Sequence, residues 1–123
     1  MASECSVKIL SKLTGLDKDV PFAEAFAATA TLTKGTLNRQ IQTTGGTEEA
    51  LNVCGISTVE LIIIKASSND LIIDTSYAAA TFSTEIVVPE GEVAIFKPGG
   101  TVYIKNEDGT EECTVDYLIV GSA

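Results

Sequence analysis

Few residues in this 123-residue chain have the chemistry to act on a substrate, and their types narrow the choice quickly. Histidine is absent, which removes every Ser-His-Asp and Cys-His arrangement and the commonest metal ligand. Cys5, Cys54 and Cys113 are far apart and odd in number, so they make neither a disulfide framework nor a C-x2-C zinc knuckle. They read as small buried hydrophobes or inert thiols of a reducing compartment. No glycine pattern cradles a phosphate, since Gly45-Gly46 and Gly99-Gly100 stand alone. Residues 106–112 gather Glu107, Asp108, Glu111 and Glu112 around a tight turn, and clustered oxygens suit a hard cation such as calcium. The spacing departs from an EF-hand loop and lacks its twelfth-position glutamate, so a solvated hairpin tip is the plainer reading. Tyr77, Phe82, Tyr103 and Tyr117 offer a sugar-stacking platform, but without tryptophan and at strand spacing they read as core.

One stretch has the form of a catalytic loop. Leu71-Ile72-Ile73-Asp74-Thr75-Ser76 resembles the apolar-apolar-Asp-Thr-Gly/Ser loop of pepsin-like aspartic proteases, in which two aspartates share a proton and one activates water. Leu118-Ile119-Val120-Gly121 is similar to the apolar-glycine segment that braces that loop in retroviral-type enzymes. Against it, the loop comes late in the chain, no glycine-rich flap follows, and Ser76 stands where glycine is usual. A strand ending in a polar turn explains the same residues, and the chain is read as a non-enzyme with no catalytic, cofactor-binding or metal-ligating residue assigned.

The elements that would position these residues are strands. From 58 to 120 the chain reads as one β meander, with β-branched runs at 59–65, 71–74, 86–88, 93–96, 101–104 and 113–120 separated by turn chemistry. Pro89 and Gly91 occupy the second and fourth places of a type I turn over 88–91. Pro98 precedes Gly99 as in a type II turn, residues 67–70 form a further turn, and Asp108-Gly109 is a strong hairpin signal. Residues 37–43 alternate, with Asn38, Gln40 and Gln42 forming a polar, half-exposed face. A loop follows at 43–47, and 48–53 leads across to a second sheet. The expected fold is a single-domain all-β sandwich, jelly-roll-like, of about eight or nine antiparallel strands counted over nearly the whole chain, with residues 34–123 as its main body and a closed barrel as competitor. Residues 1–33 are read as edge strands or an N-terminal arm, although Asp19 and the alanines around Phe22 and Phe26 also fit a helix.

Composition bounds the partners. Hydrophobic residues make up 45% of the chain, mean hydropathy is positive, and aromatics are only 6%, which implies a mostly aliphatic core. With 8 Lys and Arg against 17 Asp and Glu, the net charge is −9. Nucleic acid and anionic membrane surfaces would repel such a chain, and a basic docking partner would attract it. No apolar run approaches membrane-spanning length, so a protein made and kept soluble in the cytoplasm is expected.

From residue 41 to residue 120 the order of features resembles a family of small structural proteins of tailed bacteriophages. Four blocks carry the likeness: residues 42–56; Leu61-Ile62-Ile63-Ile64-Lys65; residues 88–97; and Thr101-Val102-Tyr103-Ile104-Lys105 leading to Val115-Asp116-Tyr117-Leu118-Ile119. Ala66 stands where the family has asparagine, and Glu90 is inserted between Pro89 and Gly91. The resemblance implies a non-enzymatic β-sandwich component of the virion, assembled in the host cytoplasm and set on the capsid, neck or tail. A capsid decoration (cement) protein that contacts the major capsid protein or another virion protein, as a homo-oligomer and through its loops, is the leading expectation. A receptor- or glycan-binding module is the second, and a retropepsin-like dimer built on Asp74 the third.

Overall fold

A computed structural model describes residues 32–42, 47–107 and 111–123 with their side chains, and within residues 1–31 the backbone of four short strands. These are β1 (Ser6–Lys8), β2 (Lys12–Leu13), β3 (Val20–Pro21) and β4 (Ala25–Ala27), with β1 paired to β4 and β2 to β3. The rest of the expected N-terminal arm lies outside the described residues, as do residues 43–46 and 108–110.

Eight strands follow: β5 (Lys34–Gln42), β6 (Glu49–Ala50), β7 (Thr58–Ala66), β8 (Leu71–Asp74), β9 (Ile86–Val88), β10 (Val93–Phe96), β11 (Tyr103–Asn106) and β12 (Cys113–Ser122). They form two antiparallel four-stranded sheets, ordered β10-β7-β12-β5 and β6-β11-β8-β9. Four pairs are nested, β5 with β12, β6 with β11, β7 with β10 and β8 with β9, as in a long hairpin doubled back between β8 and β9. Rolling that hairpin brings β12 beside β7 and β11 beside β8, which gives the jelly-roll order. The inner faces meet in one cluster that includes Ile62 and Ile64 of β7, Leu71 and Ile73 of β8, Ile104 of β11, and Val115, Tyr117 and Ile119 of β12. Each large aliphatic side chain buried there contributes about 1.5–3 kcal/mol.

The meander expectation is corrected. Among β5–β12 only β8 and β9 are neighbours both in sequence and in a sheet; every other connection crosses between sheets. Alternation of apolar residues reports which face is buried, not which strand lies alongside. The hairpin turn expected at Asp108-Gly109 lies outside the described residues, and the strands on either side, β11 and β12, belong to different sheets. The turn expected at 88–91 is displaced by one residue: Glu92 N–H donates to Pro89 C=O at 2.9 Å, and Gly91 takes the third place with φ 83°. Gly99 has no positive φ, so the type II turn expected there is absent. Its neighbour Gly100 instead allows close approach to Ser76, where an added Cβ would meet Ser76 Cα at 3.4 Å. The strand expected at 101–104 starts two residues later, at Tyr103; before it Val102 is buried in the core and Thr101 C=O accepts Tyr77 N–H.

Candidate functional site

Asp74 ends β8 and is only 2% exposed. Its Oδ1 accepts Ser76 N–H at 2.9 Å and its Oδ2 accepts Ser83 N–H at 2.8 Å. Both oxygens thus anchor the two ends of the 75–85 loop, which folds over the outer face of the second sheet. Glu85 completes the clamp, accepting Ser76 Oγ–H at 2.6 Å, Thr75 N–H at 3.1 Å and the Thr75 hydroxyl. The Ser76 and Thr75 hydroxyls hold the Glu85 carboxyl below the usual range. At the loop tip Ala79 and Ala80 both adopt positive φ, 54° and 53°, and Thr81 N–H closes the turn on Ala78 C=O. Tyr77 stacks on Tyr103 with ring centroids 3.6 Å apart. Burial and the nearby Glu48 carboxylate raise its phenol pKa. Of the four aromatics expected in the core, Tyr117 is buried there; Tyr77, Phe82 and Tyr103 are half-buried.

A second polar assembly runs along β5. Asn38, Gln40 and Gln42 face inward, opposite Tyr117, Val115 and Cys113. The expected half-exposed polar face holds for Asn38 and Gln40, which are half-buried, but it is turned toward the second sheet, and Gln42 is fully buried. Gln42 Nε2 donates to Thr47 C=O at 2.5 Å while its Oε1 accepts Asn106 N–H. Gln40 donates to Ala50 C=O at 3.0 Å and accepts Asn52 N–H at 2.9 Å. Asn38 donates to Tyr117 Oη at 2.9 Å and to Cys54 Sγ at 3.3 Å, and the Tyr117 hydroxyl donates to Asn52 C=O at 2.5 Å. Burial pushes the Tyr117 phenol up to about 12. The amides therefore close the side of the sandwich where edge strand β5 meets the short β6. A side-chain amide carries both donor and acceptor, which is what unpaired backbone groups at such a seam require.

The two ends of the sandwich differ. One is acidic, with Asp70, Glu90, Glu107, Glu111 and Glu112 on adjoining connections; Glu90 N–H donates to Asp70 Oδ1 at 2.9 Å, and Asn69 Nδ2 donates to Glu111 Oε2 at 3.1 Å. Burial, with the Asp70 and Glu90 charges, pushes the Cys113 thiol up to about 11. In the 106–112 turn, Asn106 is buried and donates to Glu111 C=O, and no group of three metal-ligating side chains occurs among the described residues. The other end holds a hollow of about 590 Å³ lined by Leu51, Ile56, Pro98 and Val102, where Lys97 is, among the described residues, the one ionisable lining side chain and pairs with Glu60 at 2.7 Å.

Among the described residues the exposed large hydrophobic side chains, Leu37, Ile41, Val87, Val93 and Ile95, lie on strands, not loops. On the outer face of the β10-β7-β12-β5 sheet the register aligns Ile95, Ile63, Leu118 and Leu37, one residue per strand, in a row from edge to edge. Leu37 is 79% exposed and Ile95 39%, while Ile63 and Leu118 are half-buried and pack on Leu61 and Val120 in the adjacent row. On the other side of the row Arg39 forms a two-pronged pair with Asp116, at 2.6 and 3.2 Å. Arg39 and then Ser67 hold the Asp116 carboxyl below its usual range. The signal for this face lay in Leu37, Arg39 and Ile41, which alternate with the amides of β5. No protein-family model, curated protein or solved structure matches the chain.

Proposed function

We propose that this chain is a non-enzymatic structural component of a tailed-phage particle, most simply a capsid decoration protein. The observation that carries this reading is the apolar row across the outer sheet face. A surface of that kind is a contact surface. The polar groups that sequence singles out are committed elsewhere: Asp74 to the 75–85 loop, and the β5 amides to the seam between the sheets. The resemblance of residues 41–120 to phage virion proteins supplies the setting. Decoration would work by adding contacts across neighbouring capsid subunits, each weak alone and strong when repeated by symmetry. The acidic end would face solvent or meet basic loops of the capsid protein.

Quantitative mass spectrometry of purified particles of the encoding phage tests this. A copy number near that of the major capsid protein, or a simple fraction of it, supports decoration, whereas a dozen or fewer copies per particle moves the chain to the neck or tail. Absence from particles overturns the virion reading.

A further inference from the structure

We propose that the outer face of the β10-β7-β12-β5 sheet is a self-docking surface through which two copies of this chain pair face to face. The inference takes from the preceding reading only that this face is a working contact surface, and its test uses the purified chain alone. It therefore stands or falls separately from the presence of the chain on particles.

Three observations favour a second copy as the occupant. The first is symmetry. The row Ile95–Ile63–Leu118–Leu37 crosses all four strands, with its most exposed member, Leu37, at one edge and Ile95 at the other. A two-fold axis between Ile63 and Leu118 lays Ile95 of each copy on Leu37 of the other, and Ile63 on Leu118. Isologous pairing requires that self-complementarity, and two sheets packed in this way stand about 10 Å apart.

The second is charge. Two copies at −9 each repel over most of their surface. Among the described residues this face carries no excess acid: its cations are Lys65, Arg39 and, at the margin, Lys97, and its carboxylates Asp116 and Glu60 are each already paired, so three cations meet two carboxylates. A basic partner would find little here to pair with; an acidic copy of the same chain finds the place where its own repulsion is least. The third is size. Four strands at about 4.8 Å spacing and about 25 Å of strand length give a footprint of about 500 Å² per copy, or about 1,000 Å² for the pair, at the lower limit for a specific interface. A weak, concentration-dependent dimer is the expected result.

Sedimentation equilibrium of the full chain from micromolar to millimolar concentration tests the proposal, with Leu37→Glu and Ile95→Glu as variants and Val87→Glu as control. Val87 is 53% exposed and belongs to the other sheet. The wild type should show a monomer–dimer equilibrium that tightens as salt screens the repulsion. Either variant should raise the dissociation constant at least about tenfold, and the control should leave it unchanged. Because Leu37 is 79% exposed, its variant should keep the wild-type melting temperature, and it decides the matter alone if Ile95→Glu fails to fold. A monomer at every concentration overturns the proposal and leaves the face to residues 1–31 or to a virion partner. A dimer that neither variant weakens overturns it by placing the interface elsewhere.

Discussion

Tyr117 shows how much one hydroxyl does in this molecule. It donates to Asn52 C=O and accepts from Asn38, so it ties β12, β5 and the connection after β6 at one point. Tyr117→Phe should cost about 1–2 kcal/mol in urea unfolding, since it leaves polar partners unmatched at a mostly buried site. The same variant has a pH signature. The folded phenol titrates at about 12, above its ordinary value near 10, so its contribution is full below about pH 10 and is lost as pH rises toward 12. Wild type should lose stability over that window more steeply than Tyr117→Phe. Gly121 is a second such residue: it sits at the register shift between β12 and β7, and an added Cβ would fall 2.0 Å from Thr58 O. Gly121→Ala should cost at least about 2 kcal/mol, because the obstructing atom is backbone. Neither role was legible from residue type. Asp74 was singled out by its sequence setting, and its burial with two amide donors depends on a loop whose course the sequence did not disclose.

Among elements, the 75–85 loop is the most over-determined. Two consecutive alanines at positive φ cost about 1–2 kcal/mol each, and the carboxylates of Asp74 and Glu85 hold the loop ends against that strain. Ala80→Gly should stabilise the protein by about 1 kcal/mol in thermal or urea unfolding, by removing the Cβ conflict without touching the clamp. Glu85 makes the loop pH-sensitive. Its lowered pKa means that its contribution is full above the ordinary carboxylate value and is lost as pH falls through the lowered one. Acidification also relieves the repulsion of a −9 chain, which acts in the opposite direction. The informative quantity is therefore the difference: below the ordinary carboxylate range, Glu85→Gln should show a shallower fall in melting temperature than wild type. Strand bounds such as 71–74, 86–88 and 93–96 were readable because β-branched runs end at turn residues. The facing of β5 was not, since alternation fixes two faces without saying which is inside, and the inward side is taken by hydrogen-bonding amides, Asn38 and Gln40 half-buried and Gln42 fully buried.

At the scale of the whole molecule, the all-β sandwich followed from many short strands, an aliphatic composition and the turns between them. Its winding did not, because nested pairing joins residues as distant as Lys34 and Gly121, and no local pattern encodes that. The acidic charge was plain in the sequence, but its uneven placement appears only in the fold: carboxylates crowd one end while the outer face of the β5–β12 sheet is left apolar and balanced. The central claim is that this face is the working surface of a virion component. The most direct test is incorporation of Leu37→Glu against wild type into particles, read by quantitative mass spectrometry. The account predicts that Leu37→Glu melts with wild type yet is depleted from particles at least about tenfold. Incorporation at the wild-type ratio, or absence of the wild-type chain itself, would contradict it.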